Sequence, residues 1–181
     1  MESIRKDKNI RYIHGPFLVD MFNSVLHLME ANVDEINELN VFPVPDGDTG
    51  TNMFLTLQSV MDAVGDQAIV QSGNVASQMA RGALMGARGN SGVILSQFFK
   101  GFAVGFEGTI DFGSEELVEA FNQACEYAYK AVGDPVEGTM LTVIKDVAEA
   151  SRNSLNNGDT IQRISDGACI AAIESVEMTP S

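Results

Sequence analysis

The 181-residue sequence has no tryptophan, only two cysteines and only two histidines. Cys125 and Cys169 each fall in an apolar helical pattern. They are too few for a disulfide framework and read as buried, reduced thiols, which fits a cytoplasmic protein. Basic residues are also scarce. Lys plus Arg is 11 against 25 for Asp plus Glu, a formal charge of −14. Such a chain lacks the basic footprint with which proteins hold nucleic acid or an anionic membrane surface. A polyanionic ligand would need a metal ion to mediate. Long hydrophobic runs are missing as well: the most apolar stretch, 91–106, is broken by Gln97 and Lys100 and is too short to span a bilayer. No transmembrane segment is expected. The charged N-terminus shows no signal-peptide pattern. No Gly-Lys-Ser or Gly-Lys-Thr occurs, which excludes a Walker A loop. His14 and His27 do not share a metal-ligand spacing and read as local packing or solvated residues.

What is present is a globular composition, 45% hydrophobic and 20% charged. The length suits one domain with a core of its own. Residues 1–12 are charged and read as a flexible N-terminus, leaving 13–181 as the domain. From Pro16, the residues Phe17, Leu18, Met21, Phe22, Val25, Leu28 and Met29 keep the spacing of an amphipathic helix. Ile36 and Leu39 fit a short extra turn. Residues 40–50, with two prolines and two glycines, are expected to be non-helical.

Helical spacing returns from Met53 to Val64 and again across Val75 to Met85. A loop is expected over Gly86 to Asn90, with Asn90 or Ser91 capping the next helix. Gly101 and Gly105 weaken the second half of that helix. Ser114 is the expected cap of the following helix, whose first turn is acidic at Glu115 and Glu116. A full capping box fails there, because Leu117 stands three residues on. Helices over about 139–155 and, capped by Thr160, to about 176 complete the chain. Strand alternation is unconvincing throughout. The fold class is therefore all-α, an antiparallel bundle of about eight helices.

Three segments carry chemistry. In Pro45-Asp46-Gly47-Asp48-Thr49-Gly50-Thr51-Asn52-Met53, two carboxylates stand two residues apart. In an extended stretch they would point the same way, with Gly47 leaving room for a ligand. Converging carboxylates ask for a cation, and few hard oxygen ligands favour Mg²⁺ with phosphate and water. A helix starting near Thr51 would aim N–H groups at an anion. The competing reading is a polar turn with Asp48 or Thr49 as the N-cap and Asp46 solvated. Aspartic protease and EF-hand patterns fail here: the Asp-Thr-Gly triplet lacks an apolar strand before it, and Thr51 and Leu57 stand at loop positions six and twelve. The second segment is Gly86-Ala87-Arg88-Gly89-Asn90-Ser91-Gly92, either a phosphate cradle or a tight turn with close packing at its glycines. The third is Asp134-Pro135-Val136-Glu137-Gly138-Thr139-Met140-Leu141, by itself a loop and an N-cap.

Together these segments, in order and spacing, resemble the DhaL family, the ATP-binding half of dihydroxyacetone kinases. Closer still is the N-terminal kinase domain of bacterial fatty acid kinases of the FakA type. The resemblance rests on residues 39–53, 85–97 and 135–142 and extends over most of 10–181. It implies a barrel of eight antiparallel helices with ATP at one rim and carboxylates holding two Mg²⁺ ions. By this resemblance Asp46 and Asp48 match the catalytic metal-binding pair. Asn40 stands near the place of a third Asp of DhaL proteins, with one extra residue in the spacing, and the resemblance makes it a metal ligand through its carbonyl oxygen or a water.

Thr49, Gly50, Asn52 and Met53 match the nucleotide-lining turn, Thr49 replacing a DhaL His as in the fatty acid kinase branch. Gly89, Asn90, Ser91 and Gly92 match the phosphate-contacting helix start, and Thr139 and Met140 a segment near the base or ribose. The implied reaction passes the γ-phosphate of ATP to a fatty acid carboxylate presented by a DegV-type lipid-binding partner, leaving ADP and an acyl phosphate. Family members continue into an Asp-Ser-Gly turn and further domains, so this chain reads as a fragment that binds ATP but transfers slowly alone. Any homodimer would form through regions beyond it. The alternatives are a dihydroxyacetone kinase-type subunit and a non-catalytic nucleotide-binding module.

Overall fold

A computed structural model describes residues 10–40, 46–65 and 70–179. Among the described residues there are eight helices and one minimal two-stranded pairing. The helices are α1 (Gly15–Ala31), α2 (Val33–Glu38), α3 (Thr49–Val64), α4 (Ser72–Gly86), α5 (Gly89–Gly105), α6 (Ser114–Lys130), α7 (Met140–Asn156) and α8 (Ile161–Glu177). The all-α expectation holds. The small addition is β1 (Ile13–His14), antiparallel to β2 (Asp111–Phe112), with Ile13 opposite Phe112. Two residues are too few to leave an alternation pattern in a sequence.

Residues 1–9, most of the expected flexible N-terminus, and Val41 to Pro45, the proline-stiffened approach to Asp46, lie outside the described residues. Three boundaries differ from expectation. Thr49 and Gly50 are already helical. The helix expected to be capped by Asn90 or Ser91 starts at Gly89, with Arg88 as its N-cap. Likewise Gly113, not Ser114, caps α6: the Glu116 carboxylate accepts the Gly113 N–H at 2.8 Å. Counted from Gly113, the third helical residue is Glu116, so half of the capping box is present after all.

The long helices from α3 to α8 each pack on the next, and close approaches show the alternation of direction: Gly82 of α4 meets Ala63 and Gly86 meets Ser59 of α3, while Gly101 of α5 meets Gln123 and Gly105 meets Ala120 of α6. Glycines set the closest approaches. A side chain on Gly101 would run into the Gln123 carbonyl and one on Gly105 into Ala120, so the two glycines that weakened the α5 reading are what lets α6 lie against it. The core fills with aromatics. Phe102 packs edge-on to Phe106 at 4.7 Å between centroids, and Phe106 meets Phe112 at 4.5 Å. Phe99 and Phe106 are fully buried, each contributing roughly 1.5–3 kcal/mol of apolar burial.

Two faces depart from the amphipathic reading. On α1, Leu18 and Met29 turn inward, but Phe17, Met21, Val25 and Leu28 are exposed. On α8, Ile170, Ile173 and Val176 are exposed, and so is Cys169, which corrects its reading as a buried thiol. Cys125 is half-buried, and its thiol pKa is raised, first by burial and then by Glu149. Antiparallel alternation brings the N-termini of α3, α5 and α7 to one end of the bundle. The three motif segments therefore share a rim. The opposite end carries β1, β2 and the N-termini of α4, α6 and α8, tied by Ser72 N–H to the Ile110 carbonyl at 2.8 Å.

Candidate functional site

The rim is built around the first turn of α3. Gly47 has φ +65°, and Asp48 follows at φ −120°, ψ 2°. The Asp46-Gly47-Asp48 stretch is therefore a turn, not the extended segment expected from the proline pair. Glycine is needed there because other side chains rarely adopt that left-handed backbone. Across the turn, Asn40 Nδ2 donates to Asp46 Oδ1 at 2.8 Å. Asn40 thus stands beside the carboxylate it was expected to assist.

Asp48 occupies the N-cap of α3: its carbonyl accepts the Asn52 N–H at 2.8 Å, while its carboxylate makes no capping bond. Both aspartates are exposed. Thr49 is the first helical residue, and Gly50 is buried against α2, where a side chain would strike the Val33 carbonyl.

Asn37, on α2, was missed by the sequence reading. Its amide spans Thr51: Nδ2 donates to Thr51 Oγ1 at 3.0 Å and Oδ1 accepts the Thr51 N–H at 3.2 Å. The only signal in the sequence was a polar residue on the inner side of a short turn, between Ile36 and Leu39.

The second segment meets the first directly. Gly89 has φ +59°, and a side chain there would collide with the Asn52 amide. A side chain on Gly92 would come within 2.6 Å of Thr56 Oγ1, and one on Gly86 would hit Ser59. The glycines therefore serve close packing of α4 and α5 on α3, and the same packing sets the first turn of α5, Gly89 to Gly92, beside Asn52. Asn90 is exposed and Ser91 half-exposed on that turn. Met53 is partly buried against the core. Two helix N-termini with open backbone donors thus lie side by side, a placement that favours an anion.

The third segment sits on the same rim at a distance. α7 packs on α6 and α8. Thr139 caps α7, accepting the Leu141 N–H at 3.3 Å and donating to the Val136 carbonyl at 2.8 Å, with Met140 as the first helical residue. Beside it, Glu137 accepts from the Thr142 hydroxyl at 2.8 Å and the Tyr129 hydroxyl at 3.3 Å. It also pairs with Lys145 at 3.4 Å. The Thr142 bond, then Lys145, lowers the Glu137 pKa. Burial, then the Glu137 charge, pushes the Tyr129 pKa up to about 12.

A separate concavity lies elsewhere. A cleft of about 410 Å³ opens at the opposite end, between residues 10–12, the start of α6 and Thr160. Two of its polar residues serve helix starts, Glu116 at α6 and Thr160 at α8. The rim is an open, exposed surface with a fixed backbone frame.

Two exposed carboxylates and the Asn40 carbonyl oxygen make a hard, open donor set. This fits Mg²⁺, which takes one or two carboxylates and completes its shell with phosphate and water. Among the described residues, no group of three or more His, Cys, Asp and Glu side chains gathers anywhere, so at the rim the protein side offers a carboxylate pair and an amide.

The family model described as the DAK2 domain matches residues 43–181, from the approach to Asp46 through the third segment and beyond. The chain belongs to the DAK2 domain family. It is thereby a DhaL-like, kinase-type domain of the dihydroxyacetone kinase family, whose members bind nucleotide. Uncharacterized proteins of Staphylococcus aureus strains USA300, NCTC 8325 and COL are similar to this DAK2 domain, each 44% identical over 172 residues. The alignment covers 95% of this chain and 31% of each of theirs. The chain spans about a third of the length of these curated relatives. Among the described residues, no helix is long and apolar enough to cross a membrane.

Proposed function

We propose that this DAK2 domain binds Mg²⁺-ATP at the rim where α3 and α5 begin and acts as the ATP-binding kinase domain of a fatty acid kinase. The observation that carries the reading is the Asp48 carboxylate, left without a capping bond at a helix start that abuts a second one. Asp46 and Asp48, with Asn40, would hold Mg²⁺, which supplies charge neutralisation between a −14 chain and an anionic nucleotide. Two ions, as in the resembling family, would neutralise the phosphate charge. The first turns of α3 and α5, with Thr49, Asn52, Asn90 and Ser91, would seat the phosphates. Thr139 and Met140 would lie toward the base or ribose, across the same rim.

The acceptor is a fatty acid carboxylate. Its oxygen attacks the γ-phosphorus, the bond to the β,γ-bridging oxygen breaks, and ADP leaves with that electron pair. A carboxylate is already ionised near pH 7, so the reaction needs positioning and electrostatics more than a general base. Thr49 in place of His, together with the Val-Phe-Pro-Val-Pro approach, favours this acceptor over dihydroxyacetone. A DegV-type partner would present the lipid.

Calorimetric titration of ATP into the purified chain, with Mg²⁺ and then with excess chelator, tests the reading. Micromolar binding that disappears with chelator is the expected result. Absence of binding in both conditions would overturn it for this chain. Adding a lipid-loaded DegV-type protein and trapping acyl phosphate as hydroxamate then tests the acceptor. Turnover with dihydroxyacetone instead would move the assignment to the other branch, and binding without turnover on either acceptor would favour a non-catalytic module.

A further inference from the structure

An aspartate at an N-cap ordinarily turns its carboxylate back to accept the N–H of the second or third helical residue. In α3 that role is taken by a different element. The third helical residue is Thr51, and its N–H goes to Asn37 Oδ1 on α2. The same amide donates to Thr51 Oγ1 through Nδ2, and this fixes its orientation: a flipped amide would set an NH₂ group against the Thr51 N–H. Gly50 keeps α2 close enough for this reach, since any side chain there would strike the Val33 carbonyl. The Asp48 carboxylate is consequently left out of the cap.

We infer that Asn37 is a positioning residue that caps α3 from α2 and so keeps Asp48 uncommitted for the cation of Mg²⁺-ATP. The ligand in that statement rests on the function proposed above; the exchange of caps does not. Remove the Asn37 amide and Thr51 N–H loses its acceptor. Asp48 is the nearest replacement, being already at the position where aspartates cap. Once folded back, it would serve the helix instead of the ligand.

The test is a double-mutant cycle on the 181-residue chain, read by two measurements. In unfolding without ligand, Asp48→Ala is expected to leave the midpoint of the parent chain nearly unchanged. In an Asn37→Ala background it is expected to lower the midpoint by a further 2–4 °C or so, the scale of losing one helix cap. Asn37→Asp retains an acceptor for the Thr51 N–H, so Asp48→Ala should again be near neutral beside it. This second background also serves if Asn37→Ala does not fold. In Mg²⁺-ATP titration, Asn37→Ala should weaken binding about fivefold or more, approaching the effect of losing Asp48 itself.

Equal effects of Asp48→Ala in all backgrounds would overturn the inference, as would parental Mg²⁺-ATP affinity in Asn37→Ala. Failure of the parent chain to bind Mg²⁺-ATP would overturn the nucleotide reading instead. The unfolding cycle would then decide the cap exchange by itself.

Discussion

The starts of α3 and α7 lie on the same rim and solve the same problem in different ways. Four N–H groups at a helix start need partners. At α7 the chain supplies them locally: Thr139 accepts from Leu141, and the neighbouring Glu137 is tied down by Thr142, Tyr129 and Lys145. The polar side chains there are largely occupied with one another. At α3 the acceptor comes from Asn37, eleven residues before the N-cap, and the acidic side chain at the cap makes no capping bond. A helix that caps itself uses up its polar residue. A helix capped by a neighbour can offer that residue to a ligand.

The widest break in this contrast should come from Gly50→Ala. Its methyl group would push α2 from α3 and with it the Asn37 amide, at a cost of about 1–3 kcal/mol typical of overpacking. Chemical denaturation measures this, and an unchanged midpoint would show that α2 is not held by that contact. Next, Asp46→Asn and Asp48→Asn should each weaken Mg²⁺-ATP binding about tenfold or more, roughly 1.4 kcal/mol, with the fold intact. Calorimetry showing parental affinity in both would remove them from the site.

The self-capped helix gives the third case. Thr139→Ala should cost about 1 kcal/mol of stability, the usual value for a lost cap. By contrast, Asp48→Ala should stay within about 0.5 kcal/mol of the parent in the absence of ligand. Comparable losses in the two would erase the distinction between the helices.

The smallest effect is spectroscopic. Tyr129, with its pKa near 12, should be the last tyrosine to ionise in a 295 nm titration. Glu137→Gln should bring it partway down, because burial remains the larger cause. The signs for stability follow. Unfolded tyrosine ionises near pH 10 while the folded Tyr129 holds its proton, so stability falls as pH rises from about 10 toward 12. For Glu137, whose folded pKa is lowered, the contribution is present above its ordinary pKa and is lost as acid titrates the folded carboxylate.

Much of this was legible beforehand. Periodicity located the long helices, and Thr160 marked its cap correctly, because these features are set by neighbours in the chain. Three of the errors share one origin. Gly101 and Gly105 looked like weak points because their partners, Gln123 and Ala120, lie on another helix. Phe17, Met21, Val25 and Leu28 looked like core because apolar spacing does not say which side meets a neighbour. Asn37 carried no visible sign, since its partner Thr51 is brought to it only by the fold.

The sequence by itself determined the helical class, the acidic charge that requires a cation beside any polyanion, and the segments where chemistry is concentrated. Local periodicity, composition and turn residues are sufficient for those. The tertiary structure decided which side chains are left uncommitted. It brought Gly89 against Asn52 and lent α3 a cap from α2. Each of these depends on hydrogen bonds and close approaches between residues distant in the chain, where van der Waals exclusion and donor–acceptor pairing, rather than propensity, decide the outcome.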